Sequence, residues 1–209
     1  MPVVFLVDDD ASIRRSLTRM LRGEGFDVHA FESAKDFLAR PDPGLRGCVV
    51  LDVSMPGLDG LELQARLAAM GASPPIVFLS GHGDIPMSVR AIKRSASDFL
   101  TKPVSGEQLV EAIREALARD ELAHLEGAET AELKRRLDAL TPREREVLGA
   151  LVEGKLNKQI ADELGIVEQT VKFHRAHVME GMQARTLAEL IHMAARLGVG
   201  LNSARRPRP

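Results

Sequence analysis

The sequence predicts an α/β doubly wound domain on a five-stranded parallel sheet, joined by a helical linker to an all-α domain of four helices. Three observations carry that prediction. Short, continuous apolar runs alternate with segments of helical spacing five times in about the first 120 residues. The periodicity then becomes wholly helical. Charge and aromatic content change as well: the formal net charge of −2 divides into −3 over residues 1–120, −2 over 121–138 and +3 over 139–209, and six of the seven Phe lie in the first hundred residues. With 44% hydrophobic and 28% charged residues the chain has ordinary globular composition, which excludes a disordered protein. Its 209 residues suit two modest domains.

The first apolar run, residues 3–7, reads as a strand buried on both faces. Residues 12–21 follow with apolar positions at helical spacing, and Gly23 and Gly25 stop the helix. The alternation recurs. Strands are expected at 27–31, 48–52, 76–80 and 98–100, and helices at 34–39, 61–69, 87–93 and 107–117. A single cysteine, Cys48, falls inside the third strand and excludes an internal disulfide or a cysteine-built zinc site. No basic leader precedes the first strand and no apolar run nears the roughly 20 residues that span a bilayer, so a cytoplasmic protein with no membrane partner is expected.

In doubly wound sheets ligands bind outside the carboxyl ends of the strands. Asp8, Asp9 and Asp10 follow the first strand, Asp52 ends the third, Ser80 ends the fourth, and Lys102 with Pro103 stands just past the fifth. Any one of these residues alone is unremarkable, since an Asp run often caps a helix. Together they place four carboxylates, a hydroxyl and an ammonium on one sheet edge. Like charges that close need a cation, and an all-oxygen donor set favours a hard ion such as Mg²⁺. A divalent ion, a lysine and a hydroxyl form a cradle for a phosphoryl group.

Asp8-Asp9, Asp52 within Asp-Val-Ser-Met-Pro-Gly-Leu-Asp-Gly, Ser80 within Ser-Gly-His-Gly-Asp, and Lys102-Pro103 resemble the flavodoxin-like receiver domain of bacterial response regulators over residues 1–120. The resemblance implies that Asp52 is the phosphoacceptor and that Asp8, Asp9, Asp52 and the Ser54 carbonyl hold Mg²⁺. It also places Lys102 on the phosphoryl oxygens and makes Ser80 and Phe99 a switch pair. The peptide before Pro103 is commonly cis in the family. Arg94-Ser95-Ala96 departs from the small-residue turn usual there.

Residues 121–139 read as a charged helical linker, with Gly127 as a candidate break. Either a coiled-coil stalk or a helix packing on its own domain fits, and the uneven leucine spacing favours the second. At 140–200, Thr141, Pro142 and Glu144 form a strong helix start, Gly154 ends that helix, a short helix begins at Asn157, and Gly165 makes a tight turn. Helices at about 168–182 and 187–197 follow, giving a helix-turn-helix layout. On the third helix Val171, Val178 and Met182 share the core side, while Gln169, Lys172, Phe173 and Ala176 share the opposite one. That polar, basic face suits a DNA major groove; a four-helix protein-docking module is the bland alternative.

Leu-Thr-Pro-Arg-Glu-Arg-Glu-Val-Leu, Asn-Lys-Gln-Ile-Ala-Asp-Glu-Leu-Gly-Ile and Gln-Thr-Val-Lys-Phe-His-Arg resemble the LuxR/FixJ-type DNA-binding domain. The resemblance implies that Lys172, Phe173 and Ala176 face bases, with Gln169 on the same face, and that Lys158, Thr170 and Arg175 touch phosphates. Val167 stands where relatives place a Ser N-cap, and Phe173 is larger than the usual Val. His174 and His177 lack a third ligand nearby and read as interfacial or solvent-facing rather than as a metal pair. Residues 201–209 read as a basic disordered tail. The expectation is a non-enzymatic, phosphorylation-controlled transcription regulator that assists its own phosphorylation and dephosphorylation. Its expected partners are a sensor histidine kinase and double-stranded promoter DNA, with RNA polymerase a candidate and a homodimer formed on phosphorylation. The rival is an enzyme passing phosphoryl groups to free substrates; no second general base near Asp52 supports it.

Overall fold

Unbroken apolar runs make the central strands buried on both faces. In the computed structural model, which describes residues 1–39, 46–81 and 97–200, the strands β1 (Val3–Val7), β2 (Asp27–Phe31), β3 (Cys48–Asp52), β4 (Ile76–Ser80) and β5 (Asp98–Thr101) form one parallel sheet in the order β2-β1-β3-β4-β5. Successive side chains point to opposite faces, and the two faces bury separate cores. Val4, Leu6, Cys48, Val50, Val77 and Leu79 lie on one side with Leu21, Leu109 and Ile113. Phe5, Val7, Val49, Leu51, Ile76 and Phe78 lie on the other with Phe37, Leu63 and Leu67. The helices that supply those residues, α1 (Ala11–Gly23) and α4 (Gly106–Ala139) on the first side and α2 (Ala34–Leu38) and α3 (Gly60–Ala69) on the second, make the sheet doubly wound. Cys48 is core, and burial pushes its thiol up to about 12, which leaves it unreactive.

Chain topology divides the molecule into a unit at Met1–Ala123 and a unit at His124–Pro209. Helix α4 is continuous through Gly127, so the break expected there is absent. A glycine within a helix costs only about 1 kcal/mol, and its Glu, Ala and Leu neighbours are strong helix formers. Of the linker leucines, Leu122 and Leu125 are exposed and Leu133 is buried. In the second unit α5 (Pro142–Val152), α6 (Asn157–Leu164), α7 (Glu168–Gly181) and α8 (Leu187–Arg196) enclose Leu140, Leu148, Leu151, Ile160, Val171, Val178, Met182 and Leu190. Gly165 takes φ +64°, the left-handed conformation that ends α6 and turns the chain into α7. The helix expected at 87–93, the turn at 94–96 and the tail at 201–209 lie outside the described residues. Among those described, no helix is long and apolar enough to cross a membrane.

Helix starts are fixed by side-chain oxygens. Asp10 caps α1 by accepting from Ser12 N–H at 2.7 Å and Ile13 N–H at 3.2 Å. Asp59 and Glu62 form a reciprocal capping box at α3. Thr141 and Glu144 do the same at α5, with Pro142 in the first turn. The Thr141 N–H, then the Thr141 hydroxyl and His177, hold Glu144 below the usual carboxylate range.

Two substitutions of the same kind should act with opposite sign. A methyl on Gly60 would lie 2.5 Å from the Asp52 carbonyl oxygen and 3.1 Å from Val53 Cα, whereas one on Gly127 meets nothing within 4 Å. Gly60→Ala should therefore destabilise by about 1–3 kcal/mol and Gly127→Ala stabilise by about 0.5–1 kcal/mol in urea unfolding. Equal shifts in the urea midpoint would contradict the close approach at Gly60. Glu144 contributes to the pH dependence of stability. With its folded pKa depressed, its contribution is present above the ordinary glutamate value of about 4.3 and is lost as pH falls through the lower folded value. Between pH 6 and pH 3.5 the wild-type urea midpoint should fall more steeply than that of Glu144→Gln, which keeps the acceptor without the charge. Parallel declines would show that the carboxylate adds nothing.

Candidate functional site

The parallel order brings the ends of β1, β3 and β4 side by side, and each end carries an oxygen. Asp8, Asp52 and Ser80 are all buried, with 0%, 6% and 2% of their surface exposed. Backbone donors orient the carboxylates: Asp10 N–H donates to Asp8 Oδ1 at 2.8 Å, and Ser54 N–H to Asp52 Oδ1 at 3.1 Å. Lys102 N–H donates to the Ser80 carbonyl at 2.7 Å, which ties the residue after β5 to the end of β4. From that anchor Lys102 Nζ reaches both acids, 2.6 Å from Asp8 Oδ2 and 2.8 Å from Asp52 Oδ2. The Lys102–Pro103 peptide is cis.

Burial pulls the ammonium of Lys102 down, but its hydrogen bonds to Asp52 and Asp8 outweigh that and leave it above the usual lysine value. Burial also raises Asp8, and the Lys102 and Asp10 hydrogen bonds only partly offset it. Asp9 is exposed at the rim, and one carboxylate oxygen from each of Asp8, Asp9 and Asp52 lies within 4.8 Å of the others. This is the only gathering of three or more such groups among the described residues. Three carboxylates against one ammonium leave two negative charges over in a mostly buried, all-oxygen site. The donor set therefore fits a hard divalent cation.

Phe99 is half-buried, its ring 6.3 Å from that of Phe78 in the second core. One supporting residue escaped sequence reasoning. The Arg14 guanidinium donates to the Asp8 carbonyl at 2.7 Å and lies 3.8 Å from Glu32. Its place in the first turn and a half of α1 was the available signal.

In the second unit Val171, Val178 and Met182 are fully buried, and Gln169, Lys172, Phe173 and Ala176 are exposed together on the opposite face of α7. Lys158 is exposed on α6, and Thr170 is half-buried. Arg175 is half-buried and donates to Asn157 Oδ1 at 3.4 Å, so it joins α7 to the start of α6. Val167 is the N-cap of α7 and supplies no side-chain acceptor. His177 packs on Phe173 and contacts Glu144; among the described residues no group of three or more possible metal ligands includes it or His174.

Two family models match. Residues 4–114 match the response regulator receiver domain, and residues 138–194 match the luxR family of bacterial regulatory proteins. Nodulation protein W of Bradyrhizobium diazoefficiens is 46% identical over 200 residues, covering 96% of this chain and 88% of that protein. Transcriptional regulatory protein FixJ of the same organism is 43% identical over 197 residues, covering 94% and 96%. The structure of response regulator StyR superposes with a TM-score of 0.83 at 44% identity, covering 93% of this chain and 98% of that one. The chain belongs to the two-component response regulators, phosphorylation-dependent transcription regulators in which a receiver domain is joined to a luxR-family DNA-binding domain.

Proposed function

We propose that Asp52 accepts the phosphoryl group from a partner sensor histidine kinase and that the modified receiver dimerises and brings the α7 face to promoter DNA. The observation that supports it most is the double contact of Lys102 with Asp8 and Asp52. An Asp52 oxygen attacks phosphorus, the bond from phosphorus to the donor's imidazole nitrogen breaks, and the imidazole leaves with the bonding electrons and takes up a proton. Asp8, Asp9, Asp52 and the Ser54 carbonyl would hold Mg²⁺, which when bound neutralises charge on the phosphoryl oxygens. Once Asp52 carries the phosphoryl group as an acyl phosphate, the Lys102 ammonium turns to the phosphoryl oxygens while another of its N–H groups stays on Asp8. The Ser80 hydroxyl then moves to the phosphoryl group, and Phe99 follows inward. The receiver speeds its own phosphorylation and dephosphorylation by this positioning, and the product is a signal. The dimer face would lie at residues 86–100, most of which fall outside the described residues.

On DNA, Lys172, Phe173 and Ala176 face base edges with Gln169 beside them, and Lys158, Thr170 and Arg175 position the domain on phosphates. Such a regulator works in the cytoplasm, where bacterial DNA is, and RNA polymerase is the partner it would reach there.

Incubation with Mg²⁺ and acetyl phosphate should add one phosphoryl group to the wild type and none to Asp52→Asn, and EDTA should abolish labelling. Labelling of Asp52→Asn would overturn the assignment. In the ultracentrifuge the labelled sample should shift from monomer toward dimer at micromolar concentration; identical sedimentation of both forms would remove the receiver dimer. For the DNA face, Lys158→Ala should weaken binding to all duplexes alike and lower the salt slope by about one unit. Lys172→Ala should cost roughly 1–3 kcal/mol on a cognate duplex and much less on a scrambled one. Equal losses on both duplexes would make Lys172 a phosphate contact.

A further inference from the structure

Phe173 is a large apolar side chain with 57% of its surface exposed, on the same face of α7 as Lys172 and Ala176. A lone aromatic on a helix surface turns freely about its side-chain bonds. This one is held. Its ring lies 4.1 Å, centroid to centroid, from the ring of His177 one helical turn further on, tilted by 50°. The ring of His174 stands edge-on to it at 5.9 Å. His177 is restrained in turn, with Nδ1 3.3 Å from Glu144 Oε1. An ionised carboxylate only accepts, so Nδ1 carries the proton in that bond. Glu144 is itself fixed by the capping box of α5, its Oε2 accepting from Thr141 N–H at 2.9 Å and its own N–H donating to Thr141 Oγ1 at 3.3 Å. A chain of contacts thus runs from the first turn of α5 to an aromatic ring on the exposed face of α7.

We propose that Phe173 and His177 act as one recognition element, in which the Phe173 ring packs on thymine 5-methyl groups in the major groove and His177 is the positioning residue that holds it there. The inference rests on the reading of α7 as the DNA-reading helix and adds the chemistry that it reads. A phenyl ring offers no hydrogen bond, so it cannot distinguish the donor and acceptor patterns of the four base pairs. The thymine methyl is the apolar group on the major-groove edge, and packing on it is a discrimination that a phenyl ring can make. Lys172, its neighbour on the face, supplies the cation that a ring lacks. Freezing a mobile side chain at an interface weakens binding, and a ring already packed against a tethered imidazole loses less freedom than a free one. The tether starts on α5, so it also holds the ring relative to the rest of the domain.

The test uses the phosphorylated full-length protein and a duplex that it selects from a random-sequence pool. Binding is titrated on that duplex and on copies in which single thymines are replaced by uracil, which lacks only the 5-methyl group. At one or two positions in each half-site the wild type should bind the uracil copy about fourfold more weakly, the worth of one buried methyl. Phe173→Ala should bind both copies equally. His177→Ala should lose most of the thymine preference, and so should His177→Gln, which can still donate to Glu144 but has no ring. His177→Phe restores the ring without the bond to Glu144 and should recover part of the preference, which a merely structural role for His177 does not explain. Full thymine preference in both His177→Ala and His177→Gln would overturn the positioning role. A wild type that selects a sequence yet never distinguishes thymine from uracil would overturn the methyl reading and leave DNA binding standing. Failure to select any sequence would remove both.

Discussion

The receiver site depends on one ammonium group placed between two carboxylates. Asp8 and Asp52 lie at the ends of adjacent strands in largely buried surroundings, where like charges repel strongly. Lys102 Nζ touches both, and its backbone N–H is bound to the Ser80 carbonyl. The charge that lets the two acids coexist is therefore mechanically joined to the residue that ends β4. Any new anion on Asp52 competes for that ammonium. The backbone that carries the ammonium is in turn stitched to Ser80, so the charged group and the end of β4 share one short segment. The two core clusters hold the strands that carry these residues in a close-packed frame on both faces of the sheet.

The two units meet opposite physical demands. The receiver gathers charge into a buried pocket and surrounds it with apolar strands. The second unit spreads charge and a phenyl ring over an exposed helix face and, among the described residues, buries apolar ones behind it. Its rigidity comes from side chains that reach across helices. Arg143 of α5 donates to the Leu164 carbonyl at 2.6 Å, satisfying the last turn of α6, while its other arm pairs with Glu146. Arg175 of α7 reaches Asn157 at the start of α6.

Strand positions and the residues at their ends were legible because a strand buried on both faces writes itself as an unbroken apolar run, and a charge marks where it leaves the core. The run Val3–Val7 followed by Asp8 shows both signals. The contacts among those residues were not legible. Lys102 lies 94 residues from Asp8 and 50 from Asp52, and nothing local in the sequence shows that a single ammonium would span both. Gly60 looks like Gly57 in the sequence, yet only at Gly60 does the backbone of β3 approach within reach of a methyl. Gly127 misled in the other direction, since a glycine signals a helix end only where the chain has a reason to turn. The contact of His177 was not legible, because its partner Glu144 lies 33 residues away and already serves as a capping residue.

Val167 shows why the second unit needs these long-range ties. An N-cap without a side-chain oxygen gives up about 1 kcal/mol of local support, so the start of α7 is weakly specified by its own sequence. What fixes it instead is the turn before it and the core beneath it. Gly165 takes the left-handed conformation, Ile166 N–H bonds back to the Ala161 carbonyl at 3.0 Å, and Thr170 N–H closes on Val167 at 2.9 Å. Val171 and Val178 then seat the helix on α5 and α6. A helix oriented by packing rather than by its cap presents an exposed face only as well defined as those neighbours make it. Two side chains of α5, Arg143 and Glu144, do that from separate ends: one locks the helix that precedes α7, and the other holds the imidazole beside its exposed ring. The first helix of the domain thus sets the geometry in which the third presents its exposed face.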